Sequence, residues 1–195
     1  MKMQNAADLI EQFISAENWK AARRLIEQEL VAQRRDHWLL ARLALTYYEA
    51  KDYATALRYA KGAHELAPHC PLGLWELAGA LDMTGKSKLA LKYYGQIIAA
   101  DKNTSATDPC WESPRWLLSL QVDATYRAAL CLNDLGHPKN ALYFLRLYLK
   151  GLELNLDTIF GAEEALQRIR EILEQTGGQD DFRPRKEKLK SLLAV

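Results

Sequence analysis

The sequence predicts an all-α fold of antiparallel helix pairs stacked on one another, and three observations predict it. An alanine recurs at Ala22, Ala56 and Ala90, at spacings of 34 and 34 residues. Long stretches free of proline and glycine, such as residues 2–61, carry helix formers with apolar residues at helical spacing. Alternating apolar and polar runs bounded by turn residues are hard to find, so strands are not expected.

The register extends beyond the alanine. Thirteen residues before it stand Leu9, Leu43 and Leu77, and twelve before it Ile10, Ala44 and Ala78. Nine before it stand Phe13, Tyr47 and Leu81; three before it, Trp19, Tyr53 and Ser87; four after it, Ile26, Ala60 and Tyr94. A fourth copy fits around Ala141, with Ala128, Ala129, Leu132, Gly136 and Leu145 at matching places. Ala141 lies 51 residues after Ala90, one repeat plus an insertion of 17. The copies therefore span about 3–36, 37–70, 71–104 and 122–155, with the insertion at about 105–121.

Each copy reads as two amphipathic helices. Small residues, Ala44 with Ala56 and Ala78 with Ala90, let paired helices approach closely, while Leu43, Tyr47 and Leu57 fill the space between layers. One pair cannot bury its apolar face alone, so the pairs must stack. Turns are legible at Lys51-Asp52, at Thr84-Gly85-Lys86 and from Leu135 to Pro138. Gly85 and Gly136 suit the left-handed residue that ends a helix, and Pro138 suits the first turn of the next.

Residues 101–113 are rich in turn formers, and Ser113 before Pro114 predicts a helix start. The helical pattern then runs to about Leu135, so the insertion is a loop plus roughly two extra turns on one helix. Trp111 and Trp116 either pack that overhang on its neighbours or form a wall of a binding surface. Residues 157–175 predict a capping helix with an apolar stripe of Leu166, Ile169, Ile172 and Leu173. Its wet face carries Glu163, Glu164, Arg168, Arg170 and Glu171. Gly177-Gly178 break the chain, and 176–195 form a linker and basic tail, with Arg183, Arg185, Lys186, Lys188 and Lys190 against Glu187. That tail reads as a solvated terminal helix whose leucines could dock on the solenoid or on a second chain.

Hydrophobic residues at 49% and charged ones at 26% are an ordinary globular balance. With a net charge of +1, no global field draws in nucleic acid or an anionic membrane. Residues 1–12 lack a signal peptide's apolar core, and no window approaches a membrane span. Cys70, Cys110 and Cys131 are few and widely spaced, which fits free thiols and a cytoplasmic location. There is no nucleotide-binding motif, and His37, His64, His69 and His137 lack metal-ligand spacing. No catalytic, cofactor or metal site is expected, and the chain is not expected to be an enzyme. Cys110, in the insertion loop, is the best placed thiol to react, whereas Cys131 reads as core.

These residues resemble a known pattern. The second copy holds Leu40, Leu43, Ala44, Tyr47, Tyr53, Ala56, Ala63 and Pro68; the third holds Leu74, Leu77, Ala78, Gly85, Ala90, Tyr94 and Ile97. They resemble the tetratricopeptide repeat, over roughly residues 3–155. The first copy departs from it, with Glu17 where glycine is usual and Arg34 where proline is, and the fourth puts Pro138 at the turn aromatic. The resemblance implies a right-handed α-solenoid of about four repeats, whose first helices line a concave groove that holds a peptide or helix. Carried over by position, the groove face takes Gln4, Ala7, Glu11 and Ile14 from the first copy, Ala41, Leu45, Leu72 and Gly79 from the next two, and Asp123 and Leu130 from the fourth; its binding set is Trp38, Arg42, Tyr48, Trp75, Asp82, Tyr126, Arg127 and Asn133, with Trp75 and Tyr126 central. Ala41, Leu45 and Leu130 stand where the clamp for heat-shock chaperone tails needs Lys and Asn, so that specialisation is not expected. The resemblance thus implies a non-enzymatic scaffold or adaptor with a protein or peptide partner. Alternatives are a chaperone like those of type III secretion, or a self-assembling protein forming a homodimer through its end faces or tail.

Overall fold

The computed structural model describes residues 2–101, 108 and 110–178, with only the backbone of 2–5. Most of the predicted insertion loop (102–107 and 109) and the basic tail at 179–195 lie outside the described residues. All regular structure among the described residues is helical. The chain divides into two compact units, Met1–Thr84 and Gly85–Val195.

The first unit holds α1 (Lys2–Ser15), α2 (Trp19–Ala32), α3 (His37–Glu49), α4 (Tyr53–Leu66) and α5 (Pro71–Met83). Each helix packs on the next, and α5 also touches α3, so the first helices of successive pairs are neighbours. The core joins Ile10, Ala22, Ile26, Leu39 and Leu43, with Phe13, Trp38, Tyr47 and Tyr59 packed against it. Ala22, Ala44, Ala56 and Ala60 are fully buried, which lets the paired helices lie close. Arg23 ties α2 to α3, donating from Nη2 to the Thr46 carbonyl at 2.7 Å while its guanidinium lies 4.0 Å over the Tyr47 ring.

The second unit holds α6 (Ser87–Ile98), α7 (Pro114–Asp134), α8 (Pro138–Leu152) and α9 (Ala162–Gln175), each packed on the next. The start of α7 at Pro114 follows from its cap: the Ser113 side chain accepts from the Trp116 N–H at 3.0 Å. α7 runs 21 residues. Gln121 Nε2 donates to the carbonyls of Ile97, Ile98 and Ala100, satisfying groups orphaned where α6 ends. The overhanging turns of α7 carry Trp116, edge-on to Trp111 at 6.4 Å, and Arg115 donates to the Asn155 carbonyl beyond α8. Gly151 is a close-approach point, because a Cβ there would lie 2.8 Å from Val122 of α7.

Every copy turns through the same conformation. Glu17, Lys51, Gly85 and Gly136 have φ of 53°, 61°, 73° and 76°, the left-handed region. In three copies the following N–H closes the cap: Asn18 to the Phe13 carbonyl, Asp52 to Tyr47, His137 to Leu132. Asn18 and Asp52 then cap the next helix, accepting from Ala21 and Thr55. Glycine adopts this backbone freely, whereas Glu17 and Lys51 hold it at a cost.

Three expectations need correction. The helix expected from residue 157 begins at Ala162, after an extended Gly161. Residues 157–160 are drawn aside by Asp123, whose carboxylate accepts from the Ile159 N–H. In α9 the buried residues are Ala165 and Ile172, while Leu166 of the expected stripe is 41% exposed. Cys110 lies outside the helices as expected but is buried rather than presented to reagents, and so are Cys70 and Cys131; none of the three is in a disulfide. No helix among the described residues is long and apolar enough to cross a membrane.

Candidate functional site

In the first unit, α1, α3 and α5 present the residues assigned to partner contact. Trp38, Arg42 and Tyr48 on α3, and Trp75 and Asp82 on α5, are all half-buried. The helical period puts Trp38, Arg42 and Leu45 on adjoining turns of one stripe. Trp38 has a double commitment, because it also packs on the core. Tyr48 meets Tyr53 edge-on at 5.3 Å.

Arg42 is the electrostatic centre of this face. Its Nε donates to Glu11 Oε1 at 2.6 Å, and its guanidinium lies 5.7 Å from the Trp38 ring. Glu76 is buried on α5. Burial pushes its carboxyl up to about 8; Arg42 pulls it down and Glu49 pushes it further up. A fork expected to receive a partner's carboxylate is thus already paired with Glu11, beside a buried acid that the same charge favours ionising. Glu49 is also raised, by burial and then by Glu17. Beside Trp38 a recess of about 60 Å³ opens between α1, α2 and α3. That is well below the roughly 300 Å³ at which small-molecule pockets begin.

In the second unit the corresponding face of α7 has a different character. Tyr126, expected at the centre of partner contact, is fully buried. The Phe160 ring stacks on it with centroids 4.4 Å apart, Tyr148 packs at 5.1 Å, and its hydroxyl meets Glu164 Oε1 at 3.0 Å. Asp123 is 2% exposed, and both carboxylate oxygens accept from the Ile159 N–H, at 3.1 and 3.0 Å. The Tyr148 hydroxyl donates to the Phe160 carbonyl. Burial raises Asp123 to about 6, against the lowering pull of the Ile159 and Phe160 N–H groups, and raises Tyr148 to about 12. Arg127 donates to the Tyr94 hydroxyl at 3.1 Å, and it and Asn133 are half-buried.

The structure thus brings Trp38 and Arg42 together with Glu11, and Tyr126 with the chain's own Phe160. Glu76 is not among the residues the sequence singles out, although it leaves a signal there: it is one of only two charged residues in the otherwise apolar run of α5. An acid in the middle of a helix that is apolar all round has no wet side to face.

No protein-family model matches the sequence, and no curated protein does. Solved structures do share the fold. One is MamA, 17% identical, with a TM-score of 0.66 over 94% of this chain and 91% of that one. Another is a MamA fragment from Desulfovibrio magneticus RS-1, 12% identical, with a TM-score of 0.59 over 91% of this chain and 97% of that one. A third is a thermophilic TPR protein of Thermus thermophilus, 19% identical, with a TM-score of 0.57 over 98% of this chain and 99% of that one. At these identities the likeness is one of fold, and the fold is that of tetratricopeptide-repeat proteins.

Proposed function

We propose that this chain is a non-enzymatic protein-interaction module, and that the first unit binds an extended or helical peptide across α1, α3 and α5. The observation that carries the reading is the Arg42–Glu11 pair beside Trp38, with half-buried Tyr48 and Trp75 on α3 and α5. Large amphipathic rings around a charged fork are the composition of binding hot spots. Asp82 belongs to the proposed face; Arg127 and Asn133 contribute only if the partner reaches the second unit. The Glu11 pairing implies a partner with a basic or amide group for Glu11, or a carboxylate able to displace it from Arg42.

The test is selection from a displayed random-peptide library, followed by calorimetric titration of the enriched peptides. Trp75→Ala and Trp38→Ala are each expected to weaken binding by about tenfold or more, since hot-spot truncation costs about 2 kcal/mol. Enriched peptides that bind both variants as tightly as the parent would remove this face from the reading. Light scattering of the same samples tests the homodimer alternative, because a self-assembling protein shows a concentration-dependent mass without peptide.

A further inference from the structure

The face of α7 in the second unit already holds an irregular piece of chain, the segment between α8 and α9. That segment has no helical or strand structure from residue 155 to 161. It is attached as a bound peptide is attached. One backbone N–H, that of Ile159, is shared by both oxygens of Asp123. One ring, Phe160, lies on Tyr126. One carbonyl, that of Phe160, accepts from Tyr148. Two of its other three apolar side chains stay out of the contact, Ile159 at 65% exposed and Leu154 at 57%, while Leu156 is half-buried. A segment recruited to complete a core would turn those side chains inward. Asp123 is the segment's polar anchor. A buried carboxylate needs a donor, and backbone N–H groups supply it without a competing charge.

We propose that residues 154–161 are an intramolecular ligand of the α7 face, occluding it against a partner of the same chemistry: a peptide with a free N–H directly ahead of an aromatic residue. The tethered segment competes at an effective concentration in the millimolar range. A free peptide therefore occupies the face only when it binds better than the tether or when the tether is weakened. This proposal concerns the second unit and does not rest on the binding face assigned to the first.

The probe is a synthetic peptide with the sequence of residues 154–163, titrated against the full chain and against its Phe160→Ala variant. The variant is expected to bind it at least about tenfold more tightly than the parent chain. Binding should vanish when the peptide's own phenylalanine is replaced by alanine, and should weaken in a Phe160→Ala, Asp123→Asn double variant. Equal affinity for parent and variant, or no binding to either, overturns the proposal. Should circular dichroism show the variant unfolded, hydrogen exchange of the parent chain decides. An Ile159 amide that exchanges faster than the α7 core amides marks a segment that opens by itself, as a displaceable ligand must. Exchange of Ile159 only with global unfolding overturns it.

Discussion

The two units place the same kind of helix in different circumstances. In Met1–Thr84 the aromatic rings of α3 and α5 stay half-buried, with Trp38 beside the Arg42–Glu11 ion pair. In Gly85–Val195 the matching face of α7 has its aromatic ring fully buried beneath Phe160. Repeat position alone therefore does not decide whether a first-helix residue is left uncovered by its own chain. What decides is whether a later stretch of the same chain has a donor and a ring to offer.

Truncating one ring on each face separates the units by the widest margin. Tyr126→Ala removes a fully buried ring stacked on Phe160 and Tyr148 and leaves Glu164 without its hydrogen bond. It is expected to cost about 3–5 kcal/mol in urea unfolding. Trp75→Ala is expected to cost about 1–2 kcal/mol, because a half-buried ring forfeits less transfer free energy. Equal losses would mean that the two faces are alike.

A second contrast is electrostatic. Glu76 has its carboxyl raised to about 8 in the fold, far above its unfolded value, so ionising it works against folding. The favourable contribution is complete below the unfolded value and is lost as pH rises through about 8. Glu76→Gln is therefore expected to stabilise the protein by about 2–4 kcal/mol near pH 9, with little effect near pH 5. A urea midpoint that moves equally at both pH values would exclude the buried acid as the cause. Asp123 acts in the same direction around its value of about 6, although two N–H groups favour its ionised form.

Packing between α7 and α8 gives a smaller effect. Gly151→Ala places a methyl within 2.9 Å of both Val122 methyl groups, and valine is stiff about χ1. The variant is expected to lose about 1–2 kcal/mol despite alanine's better helix propensity. Stabilisation instead would mean that Val122 yields. The smallest change separates the turns of the two units. Lys51→Gly relieves a left-handed lysine that Gly85 and Gly136 have no need to relieve, and is expected to raise stability by about 0.5–1 kcal/mol in thermal unfolding.

These outcomes follow the line between what the sequence displays and what it conceals. The 34-residue alanine register, the Ser113 cap and the turns at Gly85 and Gly136 are local signals, written within one helix or its ends, and they are legible. Tyr126 can be placed on the first-helix face from its register, but its cover comes from Phe160, 34 residues later, through a contact that no periodicity announces. The same contact explains why residues 157–160, which read as helix, are not: Asp123 takes the Ile159 N–H. Glu76 stays concealed because its burial depends on what surrounds α5 on every side, which a hydrophobic pattern within α5 only hints at. Arg42 looks like an open fork in the sequence because its partner, Glu11, stands 31 residues earlier.

The buried cysteines give the molecule its own timers. Cys70 is 1% exposed in the first unit and Cys131 fully buried in the second, so neither sulfur meets an alkylating reagent while its surroundings stay closed. The rate at which each becomes labelled is then set by how often that neighbourhood opens, residue by residue, with no probe introduced and no side chain changed. Mass spectrometry of the two labelled peptides would show whether the units loosen together or in turn.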